Sequence, residues 1–486
     1  MANRNPNHVA MKIKAMFEEA QPLFTNKCCI YKVPNEIRKL NTDAYTPKVV
    51  SVGAFHHGDK KLLNMECQKQ IYCKMFIERS DTNLEALVAW VQRLENQVRC
   101  SYSHKLRLSE EEHVMVILVD CGFIIELFLR YHFKQWKEDD AISLSPWLRS
   151  DIRLDLLLLE NQLPFFVLQK LYDVAFASNS AQHPSFIDLT LAYFKDNKVQ
   201  QNFSHSAVAG NIKHFTDLLR SFFLQPYIIN RTIERGTEVL THLKSATELC
   251  ESRVEFKADS FNGNLLDLRF SDGTLTMPEI KVDDTTEVLL RNVIALEQCH
   301  YSDKSYITDY VAVLKFLIST DKDVDLLVKS GIIVNWLGDS RAVAELFSCL
   351  WKNVTQTKFN SEYFDMCRRM NTYCENYWRK KYATLKRDYC NTTWKTIASW
   401  TAFFLVILTV IQTMEDDEDH NPNPNEVLIK INAMLEEAQH HLTDECCIHR
   451  VPDEIRKFKE DAYTPRVVSI GPFHHGDPKL LKMEGL

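Results

Sequence analysis

Residues 151–173 read DIRLDLLLLENQLPFFVLQKLYD, and residues 109–133 read SEEEHVMVILVDCGFIIELFLRYHF. Neither stretch alternates with period two, and both are apolar over lengths that suit buried helices. Ser109 ahead of three glutamates is a helix start. Pro164 restricts Leu163 to extended geometry and suits the first turn of a new helix. Residues 151–173 therefore read as two buried helices joined by a tight corner. Glu160, Asn161 and Gln162 stand at that corner, where their polar groups can satisfy backbone donors and acceptors. Glu160 is also a candidate catalytic carboxylate.

Outward from this pair the pattern stays helical. The exception is the stretch from Val254 to Pro278, where VEFK, LLDLRF and TLTMP are separated by NGN and SDG turns. Asp284, with Glu287 three residues on, reads as the cap of a helix over DTTEVLLRNVIALEQC. Thr320 or Asp321 starts another, which Gly331 closes, and Asp339 or Ser340 starts the next. The N-terminal segment 1–19 reads as an amphipathic helix with charges throughout, and it lacks the apolar core of a secretory signal. The fold class expected is mainly α, a multi-helical globular body with a small β insertion near 254–278 and a C-terminal transmembrane helix.

That last element rests on residues 396–414, TIASWTAFFLVILTVIQTM, which carry no charge and would reach roughly 28 Å as a helix. Lys and Arg crowd the upstream flank, and Glu415 to Asp419 are all acidic. Basic flanks stay on the cytoplasmic side, so a single-pass anchor with a cytosolic body is expected, the plasma membrane being one setting. A buried C-terminal helix of a soluble body is the other reading of the same run.

Composition narrows the classes. The chain has 486 residues, 45% hydrophobic and 25% charged, with only 12 glycines, which is ordinary globular usage rather than disorder. A net charge of −7 disfavours a nucleic-acid partner, which calls for a basic face. Fourteen cysteines without a CxxC pair do not make a zinc site or the disulfide framework of a small secreted domain. The adjacent Cys28 and Cys29 read as buried thiols rather than a redox pair.

One block is written twice. CCIYKVPNEIRKLNTDAYTPKVVSVGAFHHGDKKLLNME begins at Cys28, and CCIHRVPDEIRKFKEDAYTPRVVSIGPFHHGDPKLLKME begins at Cys446, and the two align without a gap. The second copy lacks every later helical segment of the first. The expected organisation is an N-terminal helix at 1–19, a main helical domain at 20–392, a membrane helix at 393–414, an acidic Asn-Pro linker at 415–425 and a truncated second copy at 426–486. The four Asn-x-Ser/Thr sequons, beginning at Asn202, Asn230, Asn353 and Asn391, serve only as reporters of topology.

Several ordered motifs carry a resemblance. VVSVGAFHHGD, LLLLENQLPFFVLQKL, ATELCESRVEFK, LLDLRFSDGTLTMPEIKVDDTTEVLLRNVIALEQC, ITDYVAVLKFLISTDKDVDLLVKSGIIVNWLGD and the C-terminal apolar run together resemble the plant family called domain of unknown function 247. The resemblance covers roughly residues 20–413. It implies a plant protein with a largely helical body, a membrane anchor and no established activity. Some grass members of that family are associated with pollen self-incompatibility, which implies recognition or signalling.

The sharpest chemical candidate is Phe55-His56-His57-Gly58-Asp59, repeated as Phe473-His474-His475-Gly476-Asp477. Two histidines and an aspartate are able to bind a metal or shuttle protons. Adjacent histidines, however, cannot share one face of a helix or strand. Gly58-Asp59 equally reads as a turn, with Asp59 capping a helix from Lys60 to Arg79. The lipase elbow, phosphate loop, zincin and dinucleotide signatures are absent. Two functions follow. One is a membrane-anchored recognition or scaffold protein that binds another protein, without a cofactor. The alternative is a membrane-tethered, metal-assisted enzyme centred on His56, His57 and Asp59.

Overall fold

The computed structural model describes residues 6–19, 27–138, 140–179, 183–197, 212–224, 234–259, 264–356 and 358–376. Two compact units divide the chain, Met1–Ala383 and Thr384–Leu486, and every described residue belongs to the first. Helix α1 (Pro6–Glu19) is followed by a winding segment with one short helix, α2 (Asn35–Arg38). Then come α3 (Leu63–Arg79), α4 (Leu84–Arg99), α5 (Glu110–Phe133), α6 (Ala141–Leu144), α7 (Pro146–Asp155), α8 (Phe165–Ala175) and α9 (Phe186–Tyr193). The second half carries α10 (Phe215–Phe223), α11 (Ala246–Glu251), α12 (Thr286–His300), α13 (Tyr306–Leu317), α14 (Asp321–Lys329), α15 (Ser340–Leu350) and α16 (Ser361–Glu375).

Helix α5 is the axis of the first half, with α3, α4, α8 and α9 packed around it. Ser109 and Glu112 close a capping box at its start, as the Ser-Glu pattern requires. From Val116 to Arg130 it is buried almost throughout. Buried charges on it are paired: Asp120 with Lys69 at 2.5 Å, and Glu126 with Arg130 at 2.8 Å. Ionic groups matched in this way mark a core helix rather than one facing lipid.

That distinction corrects the expected fold class. Among the described residues no helix is long and apolar enough to cross a membrane. The candidate span, 393–414, lies outside the described residues, as do the acidic linker at 415–425, the second copy at 426–486 and the sequons at Asn202, Asn230 and Asn391. The expected fold class is corrected on that finding: the described residues hold no C-terminal transmembrane helix, and none of them supplies the membrane contact through 396–414 or the single-pass localisation. What stands is a mainly α-helical body with small β elements.

Those elements are more dispersed than one insertion. Strands β2 (Glu255–Asp259), β3 (Arg269–Ser271) and β4 (Thr274–Pro278) form a sheet in the order β2-β4-β3. β2 runs parallel to β4, and β3 is antiparallel to it. Two further pairs tie distant parts together: β1 (Arg235–Gly236) with β7 (Phe359–Asn360), and β5 (Ile280–Val282) with β6 (Ile333–Asn335). Strands of two or three residues leave too little alternation to be visible in a sequence.

Caps also moved. Thr320 and Asp339 cap α14 and α15 as read. Before α12, however, Asp283 does the work assigned to Asp284: its carboxylate accepts from the Thr285 N–H at 3.0 Å and from the Thr285 and Thr286 hydroxyls. The corner between α7 and α8 is longer than a tight turn. Residues 156–164 form an irregular, wholly buried stretch, and its polar residues explain why it is stable there.

Candidate functional site

The first copy of the repeated block, residues 28–59, winds over this corner and is pinned to it by buried polar side chains. The Asp155 carboxylate, at the end of α7, accepts the backbone N–H groups of Lys48, Val49 and Val50 at 2.8, 2.8 and 2.9 Å. Asn161 accepts from the Val52 N–H at 2.7 Å and donates to the Val50 and Asp155 carbonyls. Asp120 accepts from the Gly53 N–H at 2.8 Å, and Lys69 donates to both Asp120 and the Ser51 carbonyl. Gln162 donates to the Leu156 and Leu158 carbonyls and accepts from the Phe215 N–H. A buried irregular backbone is tolerable only when its donors and acceptors are met in this way.

Gly53 is where the approach is closest. Its φ is +71°, and a Cβ there would collide with the Gln162 carbonyl oxygen and the Tyr102 hydroxyl. Two motifs far apart in the chain, VVSVG and LLLLENQ, thus interlock at one point.

Glu160 joins this framework from the same corner. Its Oε1 accepts from the Val33 N–H at 2.8 Å and its Oε2 from the Arg38 guanidinium, while His56 Nε2 lies 3.6 Å from that same Oε2. Burial alone would raise its carboxyl, but His56, Arg38 and the Val33 N–H outweigh burial and hold it below its ordinary value. His56 Nε2 has no hydrogen-bond partner. The arrangement is that of a paired structural carboxylate with a histidine beside it.

The other candidates separate. His57 is exposed, while His56 turns inward toward Glu160. Asp59 accepts from the Lys61 N–H at 3.0 Å and its own N–H donates to the His56 carbonyl at 3.2 Å. It closes a turn before α3, which begins at Leu63 rather than Lys60. Adjacent side chains diverge at such a turn, as their alternate directions require. Among the described residues no group of three or more His, Cys, Asp or Glu side chains is placed to hold a metal. The metal-assisted enzyme centred on His56, His57 and Asp59 is accordingly set aside.

Around the exposed rim, Phe55 packs edge-on against Tyr102 at 5.1 Å, with Lys32 over its ring at 5.3 Å. Cys28 and Cys29 are both buried free thiols. They point into different apolar clusters, Cys28 beside Tyr45 and Leu159, Cys29 in the main core. Burial raises both thiols, Cys29 to about 12, so neither is a thiolate at neutral pH.

Several residues of this framework carried no sequence signal. His214 is fully buried; its Nε2 is 2.9 Å from the Cys29 carbonyl, and its Nδ1 accepts from the Asp217 N–H at 3.3 Å. Those partners require the neutral tautomer protonated on Nε2, and burial lowers its pKa to about 4. Asn292 donates to the Ala44 carbonyl and accepts from the Leu159 N–H. Asp155, Asp120 and Lys69 look like ordinary helix charges until the chain folds; only the density of polar residues beside LLLL hinted at buried work.

Fold and site together define a mainly helical body that grips its own N-terminal segment through buried polar side chains. The family model described as plant protein of unknown function, domain of unknown function 247, matches residues 30–408 and again 448–486, and the chain belongs to that family. It is similar to UPF0481 protein At3g47200 of Arabidopsis thaliana, with 28% identity over 411 residues covering 79% of this chain and 85% of the relative. It is also similar to putative UPF0481 protein At3g02645 of Arabidopsis thaliana, with 23% identity over 478 residues covering 79% and 89%. No solved structure matches the chain.

Proposed function

We propose that this chain is a protein-recognition component, with α1 the element a partner grips and the helical body its rigid mount. The observation that carries this reading is the surface of α1. Val9, Met11, Ile13, Met16 and Phe17 are each between 42% and 73% exposed. Val9, Ile13, Met16 and Phe17 fall at i, i+4, i+7 and i+8, one face of the helix. Helices that seat in a partner's groove use this spacing of apolar anchors, and aliphatic and aromatic anchors of this kind dominate binding energy once desolvated. The body does not cover the stripe.

The test compares the full chain with an Ile13→Asp, Phe17→Asp variant in quantitative co-purification and cross-linking from plant tissue, with circular dichroism to show the body intact. Two charges on the stripe are expected to weaken binding of the same partner by about a hundredfold or more. An unchanged partner set at unchanged yield would overturn the reading.

A further inference from the structure

Every residue of α1 from Val9 to Phe17 is exposed, and none of them packs into the apolar cores of the body. The helix is 14 residues long, a length at which a helix without tertiary support is marginal in water. A partner that encloses it supplies the missing packing on all sides, whereas a shallow surface supplies it on one.

We infer that the partner of α1 is an acidic-rimmed, methionine-lined groove that closes on the helix from two sides, the chemistry of a calcium-opened EF-hand sensor. This inference rests on the reading of α1 as the element a partner grips, and it names the class of that partner.

The apolar residues are placed as an enclosing partner requires. Val9, Ile13, Met16 and Phe17 share one face, while Met11, 70% exposed, lies about 160° around the axis from Ile13. One flat groove covers the stripe and leaves Met11 in water. Two apolar surfaces that face each other cover both. Methionine, flexible and polarizable, adapts to such surfaces, and Met11 and Met16 stand on opposite sides of the helix. Sensor EF-hand proteins open Met-rich grooves on binding calcium and take amphipathic helices into them.

Charge selects the rim. Within VAMKIKAMF, residues 9–17, the charged residues are Lys12 and Lys14. Each lies about 100° from Ile13, on opposite sides of it, so a lysine borders the stripe along either edge. Carboxylates on both lips of a groove complement that arrangement, and a basic rim repels it. No acidic residue stands in the first turn. Glu18 and Glu19 follow the last anchor, Phe17, and fall beyond the stretch that the groove must enclose.

The test titrates the full chain with purified calmodulin by isothermal titration calorimetry, with saturating calcium and again with a chelator. A complex of Kd about 10 µM or tighter is expected with calcium, and none with the chelator. Ile13→Asp with Phe17→Asp should weaken it about a hundredfold, and Met11→Asp about tenfold. Lys12→Glu with Lys14→Glu should weaken it about tenfold at low salt, and added salt should narrow that difference. Circular dichroism of each variant shows whether the body is folded. No complex at about 100 µM calmodulin overturns the inference, as does a complex indifferent to the stripe, to Met11 or to the two lysines. If the stripe variant loses a tissue partner while calmodulin fails to bind, this inference falls and the reading of α1 stands. If the tissue partners are also indifferent to the stripe, both fall.

Discussion

Asp155→Asn isolates the grip on the block. The carboxylate is 1% exposed, and its two oxygens serve three N–H groups, Oδ1 that of Lys48 and Oδ2 those of Val49 and Val50. Asparagine keeps the shape but has one acceptor oxygen. If that oxygen takes the two donors, the amide NH2 faces the Lys48 N–H, donor against donor. One charge-assisted bond is lost, about 1.5–3 kcal/mol, and two become neutral bonds worth less. Against this runs relief of a buried charge: burial pushes Asp155 up to about 6, so at pH 7.5 the ionised form carries a desolvation cost that asparagine avoids. The net expectation is a loss of about 2 kcal/mol. The assay is amide hydrogen exchange on the peptide spanning residues 46–53 of the full chain. Local opening should become about thirtyfold more frequent there, with urea unfolding as a check on global stability. Unchanged protection of that peptide, alongside ordinary folding, would refute the claim that Asp155 anchors the block.

Three further predictions bear on the same framework. Lowering the pH from 6.5 to 4 charges His214 in the unfolded chain but not in the folded one, whose pKa is about 4. The unfolded state then binds more protons, so this histidine subtracts about 3 kcal/mol across that window; His214→Asn should remove that component from the pH dependence of urea unfolding. Lys69→Met leaves Asp120 buried without its cation and should cost about 3–5 kcal/mol, while a double-mutant cycle with Asp120→Asn should show a coupling above about 1 kcal/mol; additive losses would contradict a working pair. Gly53→Ala and Gly58→Ala both force a positive φ, but only Gly53 meets neighbouring atoms. Thermal unfolding should therefore show Gly58→Ala costing about 1–2 kcal/mol and Gly53→Ala clearly more.

Much of the helical body was legible because its signals are local. The Ser109 capping box, the Thr320 cap and the apolar length of α5 each need only a few neighbouring residues to be recognised. The rest depended on partners far along the chain. Asp155 reads as one more charge in α7, and nothing near it in sequence says that its oxygens meet the backbone 107 residues earlier. The β1–β7 and β5–β6 pairs are long-range in the same sense. The Asp284 misreading shows the limit even for local signals, since two adjacent aspartates offer the same pattern and only one finds the donors. The FHHGD motif showed its importance but not its role. Its strictness comes from a turn with a positive φ at Gly58, a half-buried His56 beside Glu160 and an aspartate closing the turn, and these demands resemble those of a reactive site when only the letters are visible.

The distribution of polar groups then bears on why the block is conserved between its two copies within this chain. The two copies can be compared at their polar positions by sequence. They differ at several of them: Tyr31 against His449, Asn41 against Lys459, Thr42 against Glu460. They agree at others, among them Arg38 and Arg456, Asp43 and Asp461, His56 and His474, and also where the chain bends or inserts, at Pro34 and Pro452, Gly53 and Gly471, Tyr45 and Tyr463. A groove lined by Asp155, Asn161, Asp120 and Asn292, each bonded to main-chain atoms, leaves surface side chains free to vary while holding the path fixed. Within the first copy, these four side chains fix the path of residues 44–53 through main-chain atoms, whichever side chains that stretch presents to solvent.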